Sequence, residues 1–527
     1  MSRREAFQYW LPVLPFIPLG AIMLITVFTQ AKNYGITMDV PLQDSYGHSI
    51  LAWYRTLGRD TSFLTAYPAN TYMPEHGAIF DAIIALAQHI FGHYWYTRAV
   101  MTGLAGIGGI VAIALCGYEI GGWWCAFLAA LGLWLYPRYF GAIFNNPKDI
   151  PFAAAMTWIL WSVLLLVKHW KTGRTYYWYC ILVGFCIGFA ASIRVTAVIW
   201  YLLLFLIVVG WWFINGMRIW HEKQIRAMLT RQTIAAIVIG LTSLLTMMTL
   251  WPYIFLNPIA HLYDSISVMS RYPWNGTVLF DGVTYPATQL PYSYVPTWLI
   301  IGSPPMLIVC AVLGSVVACI TMLRKRKIDP KVMIVLLAFL VPFASLIVLH
   351  TTLYNALRQF LFIVPPMILI AAYGVNTTIR MLISQRKEVI AAGLAIVLLV
   401  SYGFVVADMI SLHPYEYVYF SPIAGSLQGA ARSYETDYYA SCDKAAAQWL
   451  AQNYQRYTKS TSPTVEGIMY FEQLITIYLP GNFHIAAKNP DFYVVPVWAS
   501  GGKSNAYHTI YVESRQGISF CSVQARS

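Results

Sequence analysis

Charge is what this chain has least of: Asp, Glu, Lys and Arg make up 11% of its 527 residues, against about 25% in a soluble domain. That deficit excludes an ordinary soluble fold. The eight cysteines include no Cys-x-x-Cys pair, so the sequence encodes neither a thioredoxin-like centre nor a zinc finger. Internal repeats are also missing, which argues against the paired halves of many transporters. No basic loop is long enough for a nucleotide-sugar-binding domain, and none carries an Asp-x-Asp pair. Gly502-Lys503-Ser504 ends like a phosphate-binding loop, yet Val497 stands where its first glycine belongs.

Apolar sequence fills the space that charge leaves. Hydrophobic residues supply 58% of the chain, in long blocks, and a membrane-crossing helix needs about 20 such residues. Segments near 11–30, 99–117, 122–137, 151–167, 177–193, 195–214, 232–250, 297–322, 332–350, 359–379 and 389–411 qualify. The fold expected is an all-α polytopic membrane protein of about eleven transmembrane helices. The first segment has no small-x-small cleavage site, so it reads as a retained helix.

Basic residues give the orientation. With the N-terminus inside, Arg3, Arg4, Lys168, Lys171, Arg174, Arg218, Lys223, Arg226 and Arg231 share one side. Arg324, Lys325, Arg326, Lys327, Lys331, Arg380, Arg386 and Lys387 join them, as the positive-inside rule expects. The net charge of +12 is then a topology signal and not a nucleic-acid footprint. The outer face receives loops 31–98, 137–150, 251–296 and 350–358 and the tail from 412. A membrane domain, 1–411, and an outer domain, 412–527, are expected.

The tail reads as a small α/β domain. Asp443–Asn453 has helical spacing, and strand-like runs follow near 464–470, 492–498 and 508–513. Cys442 and Cys521 are its only cysteines, a plausible disulfide in an oxidising compartment. The other six lie in or beside apolar spans, where free cysteine acts as a small hydrophobe.

The chemistry-bearing residues cluster in the outer loops. Thr37-Met38-Asp39-Val40-Pro41-Leu42-Gln43-Asp44 directly follows the first span. A carboxylate there sits at the bilayer edge, where a lipid-borne head group meets water. Further along the same loop come Tyr72, Glu75 and His76, then Ala78–Phe91, whose apolar stripe predicts an amphipathic helix along the interface or packed on the bundle. Glu75 and His76 are also an isolated pair of potential metal ligands.

Lys148 and Asp149 precede a span, where burying charge is expensive; Lys148 suits a phosphate, and Asp149 an acceptor or a cation. Arg194 lies between two apolar spans and must snorkel or pair with an anion. Trp251, Tyr253 and Tyr292 belong to an aromatic-rich loop that suits either an interfacial belt or stacking on sugars. Asn275-Gly276-Thr277 matches a glycosylation sequon, relevant only in a eukaryotic lumen. Tyr354 and Arg358 precede a late span, and the arginine fork fits phosphate oxygens.

Taken together, Gly35–Tyr46, Asn145-Asn146-Pro147-Lys148-Asp149-Ile150-Pro151 and Tyr354 with Arg358 resemble the GT-C glycosyltransferases. The bacterial protein O-mannosyltransferase-like group, which includes the lipid A aminoarabinose transferases, is the nearest likeness, over most of residues 1–411. His413-Pro414-Tyr415-Glu416-Tyr417-Val418-Tyr419-Phe420 and Tyr434-Glu435-Thr436-Asp437-Tyr438 look like the tail of a bacterial branch of that group.

The resemblance implies an inverting transfer from a polyprenyl-phosphate sugar on the periplasmic face of a bacterial inner membrane. Asp39 would be the general base, with Lys148, Arg194 and Arg358 stabilising the carrier phosphate. The acceptor is a protein, a lipid or a glycan, and a divalent metal is an open requirement. Two positions depart from the family pattern. Val40 follows Asp39 where Asp-Glu is usual, so the second carboxylate is either replaced by Asp44 or unnecessary, and Arg358-Gln359 stands where Arg-His is usual.

A lipid or sugar transporter would predict ionisable residues near the bilayer midplane. A polysaccharide polymerase or ligase would predict a large outer loop between late spans. Here the charges sit at span ends, and the large outer pieces are the first loop and the tail.

Overall fold

The computed structural model describes residues 13–68, 71–215, 222–325, 328–467, 472–486, 488–497 and 506–527. Arg3, Arg4, Arg218, Arg326, Lys327 and Gly502-Lys503-Ser504 lie outside the described residues. Backbone polar groups in hydrocarbon must bond within their own segment, and each of the eleven apolar segments is helical.

Among the described residues, eight helices are long and apolar enough to cross a membrane: Tyr94–Gly121, Asp149–Lys168, Val195–Phe213, Gln224–Leu250, Pro305–Arg324, Pro330–Val348, Arg358–Ser384 and Glu388–Leu412. The other three expected spans fall on shorter apolar helices, Phe16–Gln30, Trp123–Trp134 and Thr175–Ala191. The expected span 297–322 is broken into Tyr294–Ile301 and Pro305–Lys325. Gly302-Ser303-Pro304-Pro305 causes the break, because proline withholds an N–H and suits only a helix start. Ser303 instead shares a 2.8 Å hydrogen bond with Tyr136.

Small residues let the spans approach closely. A Cβ on Gly374 would fall 2.3 Å from the Gly314 Cα, so the Pro305–Lys325 and Val364–Ser384 helices touch backbone to backbone there. At one end of the bundle Glu119 binds Lys168 at 2.7 Å and Lys331 at 2.6 Å, gathering two of the basic loops. The other end carries the tail.

Two helices fold over that tail-bearing end before the Tyr94–Gly121 span. One, Ile79–Phe91, was expected; the other, Val40–Arg55, was not, since its mixed polarity hides a helical period. Of the expected stripe, Ile79, Phe80, Ile84 and Ala87 are buried, Ile83 is half-buried and Phe91 is exposed, so most of it packs on protein.

After a hairpin of β1 (Thr277–Phe280) and β2 (Val283–Pro286), the tail forms a five-stranded sheet from β3 (Thr464–Glu466), β4 (His484–Ile485), β5 (Phe492–Pro496), β6 (Tyr507–Arg515) and β7 (Ile518–Arg526), in the order β4-β3-β5-β7-β6. β4, β3 and β5 run parallel, and β7 is antiparallel to both β5 and β6. The helix Asp443–Asn453 packs against it, and a disulfide joins Cys442 to Cys521. β7 was not expected from the sequence. It places Phe520, Cys521, Ser522, Val523, Gln524 and Ala525 all in buried positions, which erases the period-two signal of a half-exposed strand.

Candidate active site

The loop after the first helix is clamped to the tail. Gly35 makes this possible: a Cβ there would lie 2.3 Å from the Ser441 carbonyl oxygen. Met38 N–H donates to the Tyr439 carbonyl at 3.3 Å, Ile36 N–H to the Tyr478 hydroxyl at 3.0 Å, and Tyr34 O–H to Glu416 at 2.7 Å. Asp39 sits at the end of this clamped loop, one residue before the Val40–Arg55 helix begins, and its side chain does not cap that helix.

Charges of alternating sign then run in a chain. An Arg358 terminal nitrogen lies 2.7 Å from Asp39 Oδ2, and Arg358 Nε lies 3.8 Å from Asp149 Oδ2. Arg194 pairs with the other oxygen of Asp149. Asp149 opens its span and is held from behind: Asn146 Nδ2 donates to it at 2.7 Å, and Asn146 Oδ1 accepts the Asp149 N–H at 2.8 Å.

Exposure separates the two carboxylates. The Asp149 side chain is 4% exposed and that of Asp39 38%. The Arg358 guanidinium also faces the rings of Tyr354 and Tyr439, each with its centre 5.3 Å away. Tyr354 stacks on Trp274 at 4.2 Å, and Gln359 Oε1 accepts the Tyr354 N–H at 3.2 Å. The glutamine at the family's Arg-His position is therefore part of the turn that presents Arg358.

Aromatic side chains wall the same corner. Tyr272 contacts Tyr72 and His76 edge-on, with centres 6.1 and 5.7 Å apart. Burial, with Lys148 and Arg194 nearby, holds the His76 imidazole well below its ordinary range, so it is neutral. Glu75 keeps one buried oxygen without a hydrogen-bond partner.

Other sequence candidates are placed elsewhere. Lys148 is bonded elsewhere, although Arg194 and Asp149 stay within electrostatic reach: its Nζ donates to the Gly77 carbonyl at 2.7 Å and lies 3.9 Å from Asp81. Burial pushes this amine down to about 8. Asp44 is drawn into a separate buried knot, with Arg98 at 3.1 Å, Gln88 at 3.0 Å and Tyr94 O–H bonded to its second oxygen. The same arginine binds Asp81 at 2.9 Å.

Trp251 is fully buried and donates to the Pro74 carbonyl at 3.0 Å. Tyr253 stacks on His261 at 3.9 Å. Tyr292 is 66% exposed beside His350, away from the arginine chain. Among the described residues, one group of potential metal ligands comes close enough to share an ion: Asp437, Cys442 and Cys521. Both of its sulfurs are committed to the disulfide.

Sequence reasoning passed over Tyr272, Trp274 and Tyr439, and quoted Glu435 in a tail motif without giving it a role. Glu435 supports the turn that presents Arg358, because its carboxyl faces the N–H groups of Asn355 and Ala356. Both of those residues are in the left-handed region, φ 57° and 63°. Burial pushes the Glu435 carboxyl up to about 7, against the pull of those N–H groups and of Arg358. The folded state therefore holds this proton more tightly than an unfolded carboxyl of ordinary pKa about 4.3. Stability from this group is fullest in acid and is lost as pH rises towards 7. Glu435→Gln should raise the melting temperature at pH 8 and leave it nearly unchanged at pH 4, as scanning fluorimetry would measure.

The bundle, the folded-over helices and the tail together define the GT-C fold of membrane glycosyltransferases. No family model and no curated protein sequence matches the chain. Solved structures do. ArnT from Cupriavidus metallidurans in the apo state is 12% identical over 99% of this chain and 98% of its own, with a TM-score of 0.52. Bound to undecaprenyl phosphate, ArnT matches at 13% identity over 96% and 97%, again with a TM-score of 0.52. The archaeal oligosaccharyltransferase AglB from Archaeoglobus fulgidus, in complex with an inhibitory peptide and a dolichol-phosphate, is 12% identical. That match covers 93% of this chain and 70% of AglB, with a TM-score of 0.55. At such identities the likeness is one of fold, and with ArnT it spans the tail as well as the bundle.

Proposed function

We propose that this chain is a membrane glycosyltransferase. It moves a sugar from a polyprenyl-phosphate carrier to an acceptor, with inversion, at the periplasmic face of a bacterial inner membrane. The observation that carries this reading is the run Asp39–Arg358–Asp149–Arg194 at the tail-bearing end of the bundle. Buried Asp149 ties two arginines together, and their forks suit the free oxygens of the carrier phosphate, a diester in the donor and a monoester once the sugar has left. Asp39 is the member of the run with its carboxylate accessible. The lipid phosphates in the ArnT and AglB structures support a ligand of the same chemistry here.

In this mechanism an acceptor hydroxyl attacks the anomeric carbon from the face opposite the carrier. Its proton passes to Asp39 as the new C–O bond forms. The bond from carbon to phosphate oxygen breaks, and its electron pair leaves on the carrier phosphate. Arg358 and Arg194 stabilise the charge that gathers there. Asp149 is a positioning residue in this scheme, and Tyr72, His76 and Tyr272 wall the sugar.

Purified protein incubated with radiolabelled polyprenyl-phosphate sugars should release sugar from one of them, slowly even to water. No release and no binding of any such donor would refute the reading. Arg358→Ala should weaken donor binding by roughly tenfold or more, the worth of a charge-assisted hydrogen bond. Lys148→Ala should leave donor affinity within about threefold and lower the melting temperature, because its Nζ is already spent on Gly77 and Asp81.

A further inference from the structure

A cavity with a few polar groups in a mainly apolar wall lies beside the clamped loop. It encloses about 210 Å³, and Lys32, Lys444, Thr37, Asn145, Trp95 and Tyr96 are among its walls. Asp39, Arg358, Asp149 and Arg194 do not line it, so it is separate from the site above.

Its polar groups are left wanting partners. Asn145 is 4% exposed, yet neither its amide nitrogen nor its oxygen has a hydrogen-bond partner. Arg98, 4% exposed and also in the wall, spends its terminal nitrogens on Asp44 and Asp81 and leaves Nε unbonded. Buried donors and acceptors of this kind are rare without a partner. Lys444 donates to the carbonyls of Lys32 and Tyr34, the latter at 3.2 Å, and sits over the Tyr478 ring at 5.9 Å. That leaves one of its three N–H groups. Among the described residues no carboxylate pairs with Lys444 or Lys32. The charge on Arg98 is balanced, so the cavity keeps the charge of Lys444, with exposed Lys32 at its edge.

Position narrows the ligand. Ala31 and Lys32 immediately follow the apolar helix Phe16–Gln30, while Trp95 and Tyr96 open the span Tyr94–Gly121. Tryptophan and tyrosine at span ends mark the head-group level of a bilayer, and lysines there attract anionic lipid. The volume is below the roughly 300–1,000 Å³ of a whole-ligand pocket, a size for a head group whose chains remain in the membrane.

We propose that this cavity binds a phosphate-bearing group, supplied by the head group of an anionic membrane lipid, at a site distinct from the transfer centre. Lys444 and Lys32 hold the phosphate charge, and the unpartnered amide of Asn145 lies in the wall beside them. The loop is shared: Asn145 faces the cavity while Asn146 holds Asp149. The proposal does not depend on the transfer reaction.

The test uses the full chain in nanodiscs of phosphatidylcholine or of phosphatidylglycerol. Lys444, its amine pushed down to about 8 by burial, is labelled by an amine-reactive acetylating agent at pH 8 and quantified by peptide mass spectrometry. Phosphatidylglycerol should slow labelling of Lys444 relative to phosphatidylcholine. Native mass spectrometry should retain one phosphatidylglycerol per chain. Lys32→Gln with Lys444→Gln should weaken that retention about thirtyfold, each lysine near an anionic surface being worth roughly fivefold.

Inorganic phosphate, added to phosphatidylcholine nanodiscs, separates the sources. Protection by phosphate alone, with none from phosphatidylglycerol, overturns the lipid assignment. Equal labelling under all three conditions overturns the site. These labelling arms need no variant, so a variant that fails to fold leaves the test intact.

Discussion

Asp39→Asn is expected to lower turnover by about 10²–10⁴-fold, the usual contribution of a positioned general base, while the chain still inserts and folds. The substitution preserves shape and leaves an amide oxygen to accept from Arg358, which now lies 2.7 Å from the carboxylate. What it removes is the capacity to take a proton. Because the Asp39 side chain is 38% exposed, its ion pair adds little to stability, on the order of 1 kcal/mol or less.

The loss should therefore fall on the rate of transfer, with donor affinity nearly unchanged, because the two arginines stay tethered by Asp149. Single-turnover measurements with labelled donor would separate the two effects. Wild-type turnover in purified Asp39→Asn would remove Asp39 from the chemistry. A large loss of donor affinity at unchanged turnover would recast it as a binding residue.

Asp39 and Arg358 were both legible in the sequence because each sits beside a span end, where a charge needs a reason. Their pairing was not. The two are far apart along the chain, and the clamp that brings them together is built by Gly35, Tyr439 and Tyr478, residues that carry no chemical signature of their own. The same asymmetry runs through the fold. Long apolar runs announced the helices, down to Asp443–Asn453 in the tail. The break at Gly302–Pro305 was missed because hydropathy averages over a short interruption. Strand β7 was missed because a strand buried on both faces has no alternation.

Lys148 shows the limit most clearly. Its position beside Asp149 in sequence pointed to a phosphate, but consecutive residues at a helix start diverge. Lys148 turns back to Gly77 and Asp81, while Asp149 turns to the arginines.

Asp44 is the other such case, and it leads to the second large effect. As the second carboxylate after the first span, it could be read as a substitute for the family's glutamate. In the fold it belongs to a knot with Arg98 and Asp81, whose side chains are 7%, 4% and 2% exposed in that order. Arg98 is the cation that bridges the two carboxylates, and removing one partner of a buried pair costs about 3–5 kcal/mol. Arg98→Met should therefore lower the yield of monodisperse protein sharply, since methionine fills the volume, strips Asp44 of its arginine and leaves Asp81 only the longer 3.9 Å contact to Lys148.

Adding Asp44→Asn and Asp81→Asn to that variant should recover much of the loss, because neutral amides do not need the cation. This coupling is what a stability cycle measures and what a catalytic role would not produce. Asp44→Asn alone should then cost melting temperature but keep the turnover of each folded molecule. If Arg98→Met melts within about 1 kcal/mol of wild type, as an exposed pair would, the knot is not structural. If Asp44→Asn instead lowers turnover at unchanged stability, Asp44 joins Asp39 as a carboxylate of the reaction, and the valine after Asp39 is compensated from one turn further along the helix.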